Sequence, residues 1–179
     1  DEITIPSFSL VQFCAMEDYL NYSGDKTLFC EYEANYRKTL DAFIALKDEN
    51  GLIKPLDGRA YWNFYEWTDG LDDGTYFAGR SVAPDRYEAP LAAFFAMAVK
   101  SMINMLKAVG HYGGEYDGAL SEAVAAVDKF FDKEKNCFAD FAEKDGSLYH
   151  YSELGNSLCA LVSENKAYVS AALEMLADP

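Results

Sequence analysis

The sequence is poor in the residues that most often announce chemistry. Histidine occurs twice in 179 residues, as His111 and His150, too far apart to suggest a metal site by spacing. The four cysteines, Cys14, Cys30, Cys137 and Cys159, include no C-x-x-C pair, and Phe, Leu and Ala are frequent beside them. Zinc would want paired short spacings, and a disulfide framework a smaller and loopier chain, so all four are expected to be buried free thiols. A reducing, cytoplasmic setting fits them slightly better than an oxidising one. Basic residues are scarce as well: 15 Lys and Arg stand against 30 Asp and Glu, a net charge of −15. That balance argues against nucleic acid and anionic lipid as partners, because both need clustered cations. No apolar run is read as approaching the ~20 residues that cross a bilayer, and no basic-then-apolar leader opens the chain. Initiator Met is absent, and both ends are read as cut from something longer. No cofactor and no metal site is expected.

What is present describes a globular protein. Hydrophobic residues make up 50% and charged residues 25%, the balance of a single folded domain over residues 1–179. Aromatics reach 15%, more than a plain helical core needs. Strand patterns are few and six helical ones can be read, so the predicted class is all-α. The first runs over 7–22, ended by Ser23-Gly24, and the second follows Asp25, a plausible N-cap, to just before Gly51. The third follows Asp85 or Glu88 and closes at Gly110. The fourth repeats Leu120, Val124, Val127 and Phe131, while the fifth and sixth cover 152–162 and 164–177. The odd helices are apolar nearly all round and the even ones two-faced, which predicts an inner and an outer layer. Turns from inner to outer helices are short. The return connections, 50–85 and 133–151, are long, and loops of that length inside a domain are usually functional. Each holds an aromatic run near a Gly turn, so short β-hairpins are expected, one of them across Asp145-Gly146. The result is three helical hairpins side by side, with the elaborate loops at one end. Such hairpins open into a solenoid or close into a ring, and a ring of six would need about 400 residues.

Three stretches resemble the catalytic domain of bacterial α-L-rhamnosidases. They are Ile5-Pro6-Ser7-Phe8-Ser9-Leu10 running on to Asp18-Tyr19-Leu20 and Ser23-Gly24-Asp25; Tyr61-Trp62-Asn63-Phe64-Tyr65-Glu66-Trp67-Thr68; and Asn136-Cys137-Phe138-Ala139-Asp140-Phe141 followed by His150-Tyr151-Ser152-Glu153-Leu154-Gly155-Asn156. The resemblance implies an (α/α)6 toroid, of which this chain would be an incomplete part. It also implies a parent hydrolase that removes a terminal deoxyhexose or related sugar by inversion. In that family the general acid lies in an upstream Asp/Arg/Glu-rich segment ending in Gly-Trp-x-Gly-Asp, and the general base downstream near a Trp-Glu pair. Neither segment occurs here, so the isolated chain is expected to lack hydrolase activity and no catalytic residue is assigned.

The residues that remain suit sugar contact. Sugars are gripped by aromatic faces and by short acids or amides around a carboxylate pair some 6.5–9.5 Å apart in inverting enzymes. Residues 61–69 offer Tyr61, Trp62, Tyr65 and Trp67 as platforms and Glu66 and Asp69 as acceptors; both tryptophans of the chain fall in this one loop. Plain packing of a barrel end is the competing reading. Glu66 is the best-placed carboxylate, and the resemblance makes it a binding group rather than the acid. A second cluster, His150, Tyr151 and Glu153 with Asn156, would line the same end; the competing reading there is a helix start with Ser152 as N-cap and an acid in the first turn. Asp69, Asp72 and Asp73 lack the spacing of a calcium loop. His111 reads as a solvated turn residue, and Glu33 with Arg37 as an ordinary i,i+4 surface pair. Two rivals stay open: another six-hairpin glycosidase, with net charge −15 weighing against anionic uronides, and a non-enzymatic hairpin module that binds a peptide or protein. Expected partners are carbohydrate, the remainder of the toroid and, through an exposed apolar edge, a second copy.

Overall fold

A computed structural model of the chain describes residues 3–58, 60–73 and 83–177; Asp1, Glu2, Asp178 and Pro179, on which the cut-end reading partly rested, lie outside these. Helix α1 (Pro6–Ser23) starts on a proline at its first turn, where a missing N–H costs nothing. It stops at Gly24, whose φ of 69° turns the chain and lets its N–H bond Leu20 O. The N-cap of the next helix is Lys26 rather than the expected Asp25, which stands one residue earlier and accepts from Thr27 N through Oδ1 at 2.8 Å. That helix, α2 (Thr27–Ala45), ends earlier than the expected point just before Gly51. The reason is Asp48, whose Oδ1 accepts from Asn50 N and Leu52 N and bends the chain before Gly51.

The centre of the molecule is α3 (Ala89–Val109), which packs on α1, α2, α4 (Asp117–Val127) and α5 (Glu153–Val162), with α6 (Lys166–Ala177) against α5. Leu91, Phe95, Val99, Met102, Met105 and Leu106 of α3 are buried, each worth roughly 1.5–3 kcal/mol of burial. By length and composition α3 could cross a membrane, which corrects the expectation that no run is long enough. Its 21 residues are mostly buried among the other helices, as in the core helix of a globular domain.

The layering holds in outline and fails in one respect. The odd helices form a row with α3 in the middle, and α3 is the most deeply buried, open only along a stripe that carries Lys100, Asn104 and Lys107. Phe8, Val11, Tyr19 and Tyr22 of α1 and Leu161 of α5 face outward, on flanks where no further hairpin packs among the described residues. A second correction concerns Phe131. Its four-residue spacing from Val127 reads as helix, yet a 3-10 turn (Asp128–Phe130) tightens the chain and Phe131 begins strand β4. There it pairs with Phe138 and stacks on Tyr168 with centroids 3.8 Å apart.

The seven strands among the described residues are two residues long and belong to the long connections. β1 (Asn63–Phe64) pairs with β2 (Asp72–Asp73), β4 (Phe131–Asp132) with β5 (Cys137–Phe138), and β6 (Phe141–Ala142) with β7 (Leu148–Tyr149), all antiparallel. The β6–β7 turn is the expected Asp145-Gly146 hairpin, with Gly146 at φ 88° and Asp145 Oδ1 accepting from Ser147 N. β3 (Tyr87–Glu88) joins β6 and ties the two long connections together. Thr4, just before α1, bridges to Tyr61. The starts of α1, α3 and α5 therefore share one end with all the elaborate loops, as the connection lengths predict. The cysteines are corrected in part: Cys137 and Cys159 are buried and Cys14 half-buried, but Cys30 is exposed on the outer side of α2.

Candidate functional site

Residues 61–69 form an aromatic shelf at the loop end. β1 sets Trp62, Phe64 and, across the turn, Trp67 against one another, with centroid separations of 4.9 Å for Trp62–Phe64, 4.8 Å for Phe64–Trp67 and 5.7 Å for Trp62–Trp67. Phe8 of α1 packs edge-on against Phe64. Trp67 meets both neighbours edge-to-face, a favoured aromatic geometry, and keeps 74% of its surface open to solvent. Trp62 is half-buried and donates its indole N–H to Asp72 Oδ1 at 2.7 Å. Glu66 is exposed, and its Oε1 accepts from Trp67 N at 2.5 Å, so the acid sits at the rim of the open indole. Asp69 is exposed in the same turn and Tyr61 is half-buried beside Thr4. The side chain of Asp73 lies outside the described residues.

Beneath the shelf lies a polar network that sequence reasoning missed. Asp140, in the β5–β6 corner, is 0% exposed. Its Oδ1 accepts from Ser152 Oγ at 2.8 Å and its Oδ2 meets His150 Nδ1 at 2.7 Å. Burial pushes its carboxyl pKa up, and the His150, Ser152 and Arg86 partners oppose that. The other ring nitrogen, His150 Nε2, faces Asp69 O at 2.8 Å. A carbonyl can only accept, so Nε2 is the donor in that contact. Alongside, Glu88 is 1% exposed, accepts from Arg86 Nε at 2.9 Å and from Tyr65 Oη at 2.6 Å, while Arg86 Nη2 donates to Gly70 O at 3.2 Å. The Arg86 guanidinium lies 3.4 Å from the centre of the Phe141 ring, which in turn touches His150. A Cβ at Gly70 would come within 3.1 Å of His150 Nε2, and one at Gly155 within 1.8 Å of Asp140 Oδ1.

The second predicted cluster is thus divided. Tyr151 donates to Asp132 Oδ2 at 2.6 Å, and burial together with that carboxylate pushes its phenol up to about 12. Glu153 is exposed in the first turn of α5. Ser152 is the N-cap, accepting from Gly155 N at 2.9 Å. Asn156 is wholly buried and answers both Phe138 N and Phe138 O, as a neighbouring strand would. The structure joins Asp69 to His150 through a carbonyl and leaves Tyr151 on the β4–β5 side. His111 is exposed in its turn, as expected, and is bonded through Nδ1 to Glu33 at 2.6 Å, while Glu33 makes its expected pair with Arg37 at 2.8 Å. Among the described residues no group of three or more His, Cys, Asp or Glu side chains is placed to hold a metal ion. A cavity of about 550 Å³ lies elsewhere, between the later turns of α1, α3 and α5 and the face of α4, lined by Glu17, Lys100, Asn104 and Leu161 and by none of the predicted sugar residues.

No protein-family model matches the sequence, and no curated protein matches it. Solved structures do. A GH78 family rhamnosidase of Bacillus sp. GL1 superposes over 99% of this chain with a TM-score of 0.75 at 18% identity. A rhamnosidase from Klebsiella oxytoca, solved with rhamnose bound, superposes over 100% with a TM-score of 0.70 at 15% identity. The chain spans 18% of the length of the first and 32% of the second. Its fold is that of a toroid segment of such rhamnosidases, as the quoted stretches imply.

Proposed function

We propose that this chain is one part of the catalytic toroid of a rhamnosidase-like glycoside hydrolase, and that it supplies sugar contacts rather than the reacting carboxylates. The observation that carries the reading is the end-to-end fit onto two rhamnosidase folds. The place of the open Trp67 and the adjoining Glu66 and Asp69, at the end where the long loops gather, agrees with it. In this reading Trp67 stacks on a sugar face, Glu66 and Asp69 accept from hydroxyls, and Trp62, Tyr61 and Glu153 border the same surface. His150 and Tyr151 stand behind it. The parent cleaves a terminal deoxyhexose or related sugar by inversion, with one carboxylic acid and one carboxylate flanking a water. Both reacting groups come from outside this chain, which by itself has no hydrolase activity. The remainder of the toroid is the occupant that fits the outward apolar side chains of α1 and α5.

The test is a tryptophan-fluorescence titration of the chain with a monosaccharide panel, L-rhamnose first. Only Trp62 and Trp67 can report. A saturable change with one deoxyhexose, lost in Trp67→Phe, is the expected result. Silence with every sugar, in a chain whose fold is intact, overturns sugar contact at this loop and favours the peptide-binding alternative.

A further inference from the structure

The shelf loop is tied to α1 at its start, where Ser7 Oγ donates to Phe64 O at 2.6 Å, and its turn beyond Tyr65 is held by further contacts. Within the loop, Leu71 N bonds Thr68 O at 2.9 Å and Tyr65 N bonds Leu71 O at 2.9 Å, which closes the turn but does not fix it to the body of the protein. Its two consecutive carbonyls, Asp69 O and Gly70 O, are each taken by a basic side chain from a different segment: His150 Nε2 takes the first and Arg86 Nη2 the second. Each of these has its back to a carboxylate with no more than 1% exposure, Asp140 for His150 and Glu88 for Arg86. Glu88 also takes Tyr65 Oη, a third tie to the same loop.

Strand register explains why the parts meet. Glu88 on β3 lies opposite Phe141 on β6, and Phe141 opposite Tyr149 on β7, so one row of the sheet runs Glu88, Phe141, Tyr149, and His150 follows directly after its last member. Phe141 fills the space between the two basic groups, its ring against both. His150 holds φ 59°, a left-handed conformation that is unusual for a non-glycine residue and turns the ring back over the sheet. Simple neutralisation of two buried carboxylates would leave the outer N–H groups of Arg86 and His150 with no common target. Instead both point at adjacent carbonyls of one exposed turn.

We propose that Arg86 and His150 are positioning residues that clamp the Asp69 and Gly70 carbonyls and so set the pose of Trp67 and Glu66 on the shelf. The functional importance of that pose rests on the sugar-binding reading above, but the clamp itself is read out without any sugar. Trp62 and Trp67 lie 5.7 Å apart and are the only tryptophans, so their near-UV circular dichroism reports their mutual orientation.

Two variants test the clamp. Arg86→Lys keeps a cation for Glu88 but cannot fork to Gly70 O as well. His150→Asn suits the left-handed backbone but is too short to reach Asp69 O from Asp140. With far-UV dichroism unchanged, each is expected to lose the near-UV tryptophan band and to raise acrylamide quenching. Where sugar binds, affinity is expected to fall by about tenfold, equivalent to about 1.4 kcal/mol. A folded variant that keeps the wild-type band and quenching overturns the proposal. If either substitution unfolds the chain, the other decides. Loss of the band in that variant supports the clamp, and retention overturns it. A wild-type chain silent to every sugar whose near-UV band still depends on Arg86 and His150 removes the sugar reading and leaves the clamp standing.

Discussion

The same substitution, Gly→Ala, is expected to have opposite signs in the first turns of two helices. At Gly118 of α4 an added Cβ meets nothing within 4 Å. Alanine there reduces the freedom of the unfolded chain and is expected to stabilise the protein by roughly 0.4–1 kcal/mol. At Gly155 of α5 the same methyl lands 1.8 Å from Asp140 Oδ1 and 3.0 Å from its Cγ. The carboxylate must retreat by about 1 Å or more, and it is held by Ser152 at 2.8 Å and His150 at 2.7 Å with no solvent on any side. Losing one charge-assisted bond at a buried carboxylate costs about 1.5–3 kcal/mol, and disturbing both raises that further. Setting the Gly→Ala gain against it leaves a net loss of roughly 2–4 kcal/mol. Thermal unfolding reads the difference: at about 2–4 °C per kcal/mol for a chain of this size, Gly155→Ala falls by roughly 5–15 °C while Gly118→Ala rises slightly. Urea midpoints should agree. A Gly155→Ala protein as stable as wild type would show that Asp140 does not occupy the first turn of α5, and with it would go the anchor assigned to His150.

Three further outcomes follow from particular contacts. Lys144 and Lys54 hold the Asp85 carboxyl down to about 2 from its usual 3.8, so its contribution is present above 3.8 and is lost as pH falls towards 2; Asp85→Asn should flatten that acid limb of the stability curve, and high salt should weaken it in wild type. Tyr151 is pushed from 10.0 to about 12, so its contribution is present below 10 and disappears as pH rises through 12; Tyr151→Phe should remove this alkaline limb in a denaturation series, and an unchanged curve would show that Asp132 is not its partner. Cys30 is exposed, whereas burial pushes the Cys137 and Cys159 thiols up; a thiol reagent under native conditions should modify Cys30 first, with Cys30→Ser abolishing the fast phase, and rapid labelling of that variant would contradict the burial.

What the sequence made legible is what depends on neighbours along the chain. The periodicity of 89–109, the stops at Gly24 and Gly110, the Asp145-Gly146 turn and the Ser152 cap all depend on residues within a turn or two. The misreadings have the opposite origin. Phe131 continues a helical spacing without a break, and what draws it into a strand is Phe138 and Tyr168, one across a hairpin and the other on a later helix. The end expected for α2, just before Gly51, overshoots Ala45, because Asp48 captures two backbone amides beyond the last apolar pair of the pattern, Phe43-Ile44. At the candidate site the aromatic run was visible because its members are adjacent. Arg86, Glu88, Asp140, Gly70 and Gly155 were not, since the β3–β6–β7 pairing brings them together from segments dozens of residues apart. An isolated Asp next to Phe, or a Gly in a helix start, carries no mark of the partner it will meet.

The two arginines among the described residues show how an acidic chain spends its few forked cations. Arg37 donates from α2 to Glu33 on its own helix, to Glu115 at 2.5 Å and to Tyr112 O, so it binds the short connection between α3 and α4. Arg86 does the same at the other end, with Glu88 beside it in β3 and Gly70 O across the shelf turn. In each case one planar group serves a carboxylate and a backbone carbonyl at once, which an ammonium does with far less directional control. These lysines take simpler posts: Lys47, largely covered, on Glu122, and Lys54 and Lys144 on Asp85 nearer the surface. With 15 basic residues against 30 acidic ones, a fork at each end secures a connection that backbone pairing alone leaves loose. The loop-end fork is the more consequential, because the connection it secures carries the exposed aromatic and acidic groups from which a sugar site would be built.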